Sequence, residues 1–130
     1  MGTRKYLIVG IVLCFFTTMA FSADTEFTQG FSDCMDKTEG VKIELLNCIE
    51  AETKIQDARL NKGYKEVMAQ LSAPRKKQLQ EAQRAWVKYR DANCGFYADP
   101  DGGMMSSINS SDCLMSATAS RAKEVEHFKE

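Results

Sequence analysis

The stretch from Val41 to Cys94 restricts the fold more than any other, because a single proline, Pro74, interrupts it. Proline is accepted in the first turn of a helix, so Ser72-Ala73 is predicted to connect two long helices. Such a short connector makes the two helices an antiparallel pair. Apolar side chains recur at the three- and four-residue spacing of a helix, as Leu60, Tyr64, Val67 and Leu71 before the proline and Leu79, Ala82, Trp86 and Tyr89 after it.

Shorter helices are predicted on either side of this pair. Residues 27–37 carry apolar side chains at helical spacing, and Gly40 marks the break that follows. A glycine- and serine-rich loop is expected over residues 95–111, with a last helix capped by Ser111 or Asp112. No segment alternates for long enough to form a strand. The predicted fold is therefore all-α, a small antiparallel helical bundle.

Two irregularities stand out in the first long helix. Its apolar stripe shifts around Asp57–Leu60, so the helix is predicted to bend or divide there. Gly63 inside it costs about 1 kcal/mol relative to alanine. The close approach of another helix would explain this glycine, and an exposed position without a special role is the alternative.

The N-terminus has the pattern of a signal peptide. A short basic run precedes an apolar run over residues 6–16, and Ala20 and Ser22 stand at the −3 and −1 positions of a cleavage site. We therefore expect residues 1–22 to be removed and residues 23–130 to form one exported domain. An uncleaved membrane anchor is the alternative, but the apolar run is shorter than a transmembrane helix requires.

The charge of the exported domain restricts its partners. Removal of Arg4 and Lys5 with the signal peptide lowers the 17 basic side chains to 15, against 18 acidic ones, for a net charge of −3. This balance argues against nucleic acid and is compatible with a basic protein partner.

The same cleavage removes Cys14 and leaves four cysteines, an even number that predicts two disulfides in a small exported domain. A zinc site is the competing interpretation, but there is no Cys-x-x-Cys pair and His127 is the sole histidine. All four cysteines are expected at the end of the bundle away from the connector. Pairing within local loops is favoured, with Cys48–Cys94 as the next choice; the favoured bonds are Cys34–Cys48 and Cys94–Cys113.

A polar group is predicted between the helices. In an antiparallel pair with this connector, residues whose numbers sum to about 145 lie at the same height, which places Arg90 within a turn of Asp57. Asp57, Asn61, Arg90 and Arg121 are then expected to form a polar set between three helices. The alternatives are a ligand-binding role, or an Arg90 that only covers the core with its aliphatic stem.

Motifs of catalysis are missing from the sequence. There is no Gly-x-Ser-x-Gly, no metal-binding histidine pair and no glycine-rich phosphate loop before a helix. Asp99 and Asp101 stand together on the predicted loop, without the apolar surroundings that raise a catalytic pKa. The later acidic ligand of a calcium loop is also absent. We predict a protein that is not an enzyme, with no cofactor and no metal site.

The chain carries a series of motifs, in order Cys34, Cys48, Asp57-Ala58-Arg59-Leu60-Asn61, Tyr64, Gln83-Arg84-Ala85-Trp86, Tyr89-Arg90-Asp91, Cys94, Gly102-Gly103, Cys113, Thr118 and Arg121. This arrangement resembles the lysozyme inhibitor LprI-like family of small exported bacterial proteins. The resemblance spans about Cys34 to Val125. It implies a structural motif made of Asp57, Asn61, Tyr64, Trp86, Arg90, Asp91 and Arg121. Its most specific part is the sequence Gln83-Arg84-Ala85-Trp86 followed by Tyr89-Arg90-Asp91 and Cys94.

This resemblance implies a helical, disulfide-bonded domain of the cell envelope, periplasmic or secreted. The family takes its name from a member that inhibits lysozyme, so the implied partner is a lysozyme or another peptidoglycan-cleaving enzyme. That member is lipid-anchored. The anchor is not expected here, because bulky Leu13 precedes Cys14.

An inhibitor of such an enzyme would fill the concave cleft with a rigid protrusion. The loop over residues 98–107, pinned by Cys94 and Cys113, is the candidate for that protrusion. Its expected contacts are Asp99, Asp101, Met104 and Met105. The alternatives are that the loop is only a connector, and that the protein is a structural or stress-related periplasmic domain that binds an envelope component without inhibiting an enzyme.

Overall fold

The computed structural model of the protein describes residues 26–128. The predicted signal peptide therefore lies outside the described residues. Within them the chain forms four helices and no strand, so the all-α prediction is confirmed. The helices are α1 (Gln29–Lys37), α2 (Lys42–Gln70), α3 (Ala73–Phe96) and α4 (Gly103–His127).

Helix α1 begins where the side chain of Thr28 caps it. Thr28 Oγ1 accepts a hydrogen bond from the Phe31 amide at 3.1 Å, which satisfies one free N–H of the first turn. Phe27, just before the cap, packs edge-on against Phe31 with 5.4 Å between the ring centroids. The helix stops before Glu39 and Gly40, because their positive φ angles of 47° and 81° cannot continue a right-handed helix.

Helix α2 is one continuous helix of 29 residues, so the alternative of a division near Asp57–Leu60 is wrong, while a bend there stays a prediction. Two polar residues, Glu52 and Gln56, occupy buried positions of the stripe and are only 1% and 2% exposed. With both included, the buried face continues along the whole helix through Cys48, Ile49, Glu52, Gln56, Leu60, Gly63 and Val67.

Helices α2 and α4 form the most extensive helix pair, because small residues face each other between them. Ala119 and Ala122 are completely buried. A Cβ placed on Gly63 would lie 3.6 Å from the side chains of Val125 and Glu126. The predicted close approach of another helix at Gly63 is therefore confirmed.

The replacement Gly63→Ala is expected to raise the free energy of unfolding by about 0.5–1 kcal/mol, since glycine inside a helix is less favourable than alanine by that amount. The added methyl group would make ordinary van der Waals contacts at 3.6 Å. Urea denaturation followed by circular dichroism measures the change. Gly63→Leu is the control, since its longer side chain must displace α4 and should destabilise the protein. A loss of stability in Gly63→Ala would contradict the prediction.

Arg59 and Glu126 hold the same two helices in register. Arg59 Nε donates to Glu126 Oε1 at 2.8 Å, and Nη2 donates to Oε2 at 2.6 Å. Both side chains are about one-third exposed, so solvent screens the pair and it contributes up to about 1 kcal/mol. Its fork geometry fixes the relative position of the helices.

The apolar core consists of two clusters along α2, with Glu52 and Gln56 between them. The cluster nearer the connector contains Leu60, Val67, Ala122 and Val125, with Tyr64, Leu71, Leu79 and Trp86 packed against it. The cluster nearer α1 contains Ile49, Ile108 and Met115, with Phe27, Phe31 and Leu46 packed against it.

Helix α3 follows the cap residue Ser72 and carries Pro74 in its first turn, as predicted. It runs antiparallel to α2 in the expected register. An open groove between the two helices shows that register, since it is lined by Asn61 and Tyr64 on one side and by Gln80, Gln83, Arg84, Val87 and Lys88 on the other.

Most of α3 faces solvent. Cys94 is its one buried residue, and Leu79 and Trp86 reach the core as half-buried side chains. The helix therefore rests on the α2–α4 pair through a few long side chains. Tyr89, predicted on the apolar stripe, is 66% exposed.

Helix α4 begins at Gly103, well before the predicted start after the serine-rich run. Its serines are compatible with a helix because their hydroxyls bond to nearby backbone groups. The Ser110 hydroxyl donates to the Cys94 carbonyl at 3.0 Å. Ile108, on the same segment, is buried in the core. The predicted loop over residues 95–111 is thus mostly helical.

Both favoured disulfides are confirmed. Cys34–Cys48 joins α1 to α2, and Cys94–Cys113 joins α3 to α4, with Cα–Cα distances of 5.8 Å and 5.4 Å. The alternative Cys48–Cys94 bond is excluded. Both bonds lie toward the end of the bundle opposite the α2–α3 connector.

Candidate functional site

Trp86 lies between two arginine side chains. Its ring centroid is 5.0 Å from Arg90 Cζ and 5.8 Å from Arg121 Cζ, both within cation–π range. Arg90 Nη1 also donates to Thr118 Oγ1 at 3.2 Å, while Nε and Nη2 donate to Asp91 Oδ1 at 2.9 Å and 2.8 Å. Trp86, Arg90 and Asp91 belong to α3, and Thr118 and Arg121 to α4. The group therefore fastens α3 to α4.

Arg121 is only 7% exposed, and its charge is compensated on several sides. Its Nε donates to Gln83 Oε1 at 3.0 Å, and its Nη1 donates to Glu124 Oε2 at 2.6 Å. The Phe128 ring covers it at 5.7 Å. These contacts explain how a guanidinium is buried here, because a buried charge needs such partners.

The predicted polar set of four residues divides into separate groups. Asn61 Nδ2 donates to Asp57 Oδ2 at 3.0 Å on the exposed surface of α2. Arg90 points instead toward α4, and Arg121 toward α3. No hydrogen bond or ion pair joins Arg90 to Asp57 in the described part of the chain, because Arg90 contacts Trp86 and Thr118 while Asp57 bonds to Asn61.

Glu52 is a buried carboxylate that was not expected from the sequence. Its Oε1 accepts hydrogen bonds from the Thr28 amide at 2.9 Å and from Gln56 Nε2 at 2.7 Å, and its Oε2 accepts one from the Thr28 hydroxyl at 2.6 Å. Gln56 Nε2 also donates to the Glu26 carbonyl, and the Ser120 hydroxyl donates to the Glu26 carboxylate. This network fixes the start of α1 against α2 and α4. Its signal in the sequence is the four-residue spacing from Cys48 to Glu52 to Gln56.

The turn between α3 and α4 is closed by its own groups. Asp99 Oδ1 accepts from the Asp101 amide at 2.9 Å. The Asp99 carbonyl accepts from the Gly102 amide at 3.0 Å and from the Ser106 hydroxyl at 2.8 Å. A side chain does not fit at Gly102, where a Cβ would lie 2.6 Å from Ser106 Cβ, and Gly103 has a φ of 58°. The turn is therefore held in one conformation.

The four predicted contact residues lie at this turn, but not all on a loop. Asp99 and Asp101 occupy the turn itself and are exposed. Met104 and Met105 lie in the first turn of α4, and each is 45% exposed. A helix holds the two methionines more firmly than a loop would.

Aromatic side chains that were not predicted as contacts extend this surface. Phe96 is 84% exposed and Tyr97 is 47% exposed, and their rings meet edge-on at 5.9 Å. We call Phe96 and Tyr97, with the nearby Tyr89, Met104 and Met105, the aromatic edge. A concentration of exposed apolar side chains on a polar protein surface marks an interaction site. Phe96 and Tyr97 follow Cys94, the last buried residue of α3. This position after the cysteine is the sequence feature that could have indicated their exposure.

Residues 91–120 carry only negative charge, although Lys88 and Arg90 flank Tyr89 at the start of the aromatic edge. Residues 91–120 contain four aspartates, Asp91, Asp99, Asp101 and Asp112, and no lysine, arginine or histidine. The preceding segment, residues 73–90, contains six basic residues and one acidic residue. The end of α3 and the α3–α4 turn are thus more acidic than the rest of α3.

Residues 26–128 contain no group of three or more His, Cys, Asp or Glu side chains arranged to hold a metal ion. None of the helices in that range combines the length and the apolar composition needed to cross a membrane.

Fold and surface together define a small disulfide-bonded helical protein with an apolar and acidic edge. A family model described as "Lysozyme inhibitor LprI" matches residues 34–125. The chain belongs to this family. Membership implies a lysozyme-type protein partner and a role as an inhibitor. With the two disulfides, it favours an extracellular or periplasmic location.

The match covers both disulfides, the group around Trp86 and the aromatic edge. An uncharacterised protein of Rhizobium meliloti (strain 1021) is 33% identical over 125 residues, an alignment that covers 84% of this chain and 87% of that protein. No solved structure matches the chain.

Proposed function

We propose that the protein is exported by the signal peptide of residues 1–22 and inhibits a lysozyme in the cell envelope. In this proposal the aromatic edge and the α3–α4 turn enter the substrate cleft of the enzyme. The observation that carries the proposal is the exposure of Phe96 and Tyr97 beside a turn of fixed conformation. Family membership supplies the class of partner.

The rigidity of the turn favours tight binding. The Cys94–Cys113 bond and the hydrogen bonds to Asp99 order the segment before it meets a partner. A flexible loop would lose conformational entropy on binding, whereas a preorganised one does not. The side chains of the edge are therefore already close to the arrangement that binds.

The chemistry of the edge suits a protein cleft. Aromatic side chains are enriched among the residues that dominate interface energetics, and Phe96 is the most exposed of the large apolar residues. Met104 and Met105 supply flexible side chains that adapt to the shape of the cleft.

The acidic segment adds a second contribution. Three aspartates of this segment, Asp99, Asp101 and Asp112, attract an enzyme with a basic surface and accelerate its encounter with the inhibitor, whereas Asp91 is paired with Arg90. In the proposed complex Asp99 and Asp101 meet cationic groups at the rim of the cleft. Such rim contacts act mainly on the association rate and weaken with salt.

The proposal is tested by titrating the purified, oxidised protein into a cell-wall clearing assay with a C-type lysozyme. Inhibition should saturate near equal molar amounts. Phe96→Ala should weaken it by about 30-fold, the effect of losing one dominant interface side chain. Its thermal stability should not change, because Phe96 is 84% exposed. Ile55→Ala is the matched control, since Ile55 is 49% exposed on α2, away from the edge.

The charge contribution is measured in the same assay with the double variant Asp99→Asn/Asp101→Asn. Asparagine keeps the Oδ1 acceptor for the Asp101 amide, so the turn should stay closed. Inhibition should fall several-fold at low salt and approach that of the wild type at high salt. If Phe96→Ala and the double variant both inhibit like the wild type, the edge is not the binding site. A folded wild type that leaves lysis unaffected would reject a C-type lysozyme as the target and favour a non-inhibitory envelope domain.

A further inference from the structure

The opposite end of the bundle carries a second surface, an apolar groove between α3 and the ends of α2 and α4. The groove is lined by Val67, Leu71, Leu79, Ala82 and Phe128, and completed by Arg75 and Gln78. We call it the connector groove. Its volume of about 410 Å³ lies within the range of small-molecule sites, which are mostly apolar with a few polar groups.

The groove exists because α3 rests on long side chains. Leu71, Leu79 and Phe128 are only partly covered by their neighbours, although Val67 beneath them belongs to the core. Phe128 at the end of α4 remains 43% exposed. A ligand that covers this partly exposed apolar surface and removes it from water would gain binding free energy.

The charged group that lines the groove is Arg75, while Lys76 and Lys77 follow it in the sequence outside the lining. Arg75, Lys76 and Lys77 are consecutive in the first turns of α3, which has no acidic residue in its first turn. Positive charge is unfavourable at that end of a helix. Arg75 Nη1 donates to the uncharged Gln78 Oε1 at 2.9 Å, and Arg75 forms no ion pair within residues 26–128. An anion in the groove would supply the charged partner that Arg75 lacks within residues 26–128.

We propose that the connector groove binds one amphiphile with a single acyl chain and an anionic head group. The acyl chain lies along Leu71, Leu79 and Phe128, and the head group meets Arg75. The charge of Arg75 complements the head group, and the apolar lining complements the chain. A partner protein fits less well, since specific protein interfaces need more than about 1,000 Å² of buried surface and a broader face than this groove presents.

This site is independent of the proposed lysozyme inhibition, because it lies at the end of the bundle away from the aromatic edge. It gives the protein a place to bind a lipid-like component while the other end remains free.

The test is isothermal titration of the purified, oxidised protein with myristoyl lysophosphatidylglycerol, which is anionic, and myristoyl lysophosphatidylcholine, which is zwitterionic. Both are used below their micelle-forming concentrations. We expect saturable binding of one molecule per chain, with the anionic compound bound about tenfold more tightly, as one charge-assisted contact allows. Arg75→Gln should abolish that preference. Ala82→Trp should block binding of both compounds by filling the groove, since Ala82 is an exposed lining residue.

Arg84→Gln is the matched control, because Arg84 lines the separate groove between α2 and α3. It should retain the preference for the anionic compound. Equal affinity for the two compounds, unchanged binding by a folded Ala82→Trp, or an equal effect of Arg75→Gln and Arg84→Gln would each overturn the proposal. Binding to anionic vesicles alone would also overturn it, in favour of a membrane surface. Ala82→Trp should still inhibit lysozyme if the proposed function is correct, so the two proposals fail separately.

Discussion

Trp86→Ala is expected to lower the free energy of unfolding by about 3 kcal/mol, the lower end of the range for truncating a large aromatic core residue. The lower end applies because Trp86 is half-buried. The truncation removes packing against the Leu60 and Val125 cluster and the ring contact of Arg90 and Arg121. Thermal unfolding followed by far-UV circular dichroism measures the loss.

Trp86→Phe is the control for this prediction. Phenylalanine keeps a ring between the two arginines and should lose only about 1 kcal/mol, as expected for a smaller ring that leaves little empty volume. If Trp86→Ala unfolded at the wild-type temperature but no longer inhibited lysozyme, Trp86 would be a contact residue and not a packing residue.

The double variant Cys94→Ala/Cys113→Ala is expected to lose about 3 kcal/mol of stability, the entropic effect of opening a loop of this size. It should also lose inhibition at temperatures where it remains folded. The reason is that the α3–α4 turn loses the covalent link at its base, and the aromatic edge is no longer preorganised. Urea denaturation gives the stability, and the clearing assay gives the inhibition.

Cys34→Ala/Cys48→Ala is the matched control. Its bond closes a loop of similar size, so the stability loss should also be about 3 kcal/mol. That bond joins α1 to α2, and its removal should leave inhibition by the folded protein unchanged. Equal loss of inhibition in both double variants would show that stability, and not the order of the turn, controls binding.

The sequence was sufficient for the features that depend on local spacing. Pro74 and the short connector predicted two long antiparallel helices, and the register between α2 and α3 followed from the connector. Closure of short loops favoured Cys34–Cys48 and Cys94–Cys113, which are the bonds observed. These features need no knowledge of how the helices pack.

Features that depend on tertiary partners were missed. Glu52 and Gln56 interrupt the apolar stripe in the sequence. Both are nevertheless buried, because Thr28 and the Glu26 backbone form hydrogen bonds with their side chains. Spacing alone does not show that a distant threonine will supply those hydrogen bonds. The same reason applies to the early start of α4, since propensity places serine in loops, whereas here Ile108 is buried and Ser106 and Ser110 bond to carbonyls outside the helix.

The candidate site was predicted in part. The turn with Asp99 and Asp101 was placed correctly between two helices tied by a disulfide, but the helical position of the methionines was not. The exposure of Phe96 and Tyr97 was not foreseen either. For an aromatic residue at a helix end, the neighbouring residues in the sequence do not determine whether its side chain is buried in the core or exposed to solvent.

Helix α3 is covalently fastened at each end but is supported between them by few side chains. The connector at Ser72 holds its start, and the Cys94–Cys113 bond holds its end. Amide hydrogens of α3 should therefore exchange with solvent through a local opening that needs less free energy than opening of the α2–α4 pair. Reduction of Cys94–Cys113 would remove the covalent bond near the end of α3 and leave the α3–α4 turn and the contacts of Trp86 and Arg90 to hold that end, so local opening would need less free energy. The redox state of the surroundings would then control how long the side chains of the aromatic edge keep their arrangement, while the rest of the bundle stays folded.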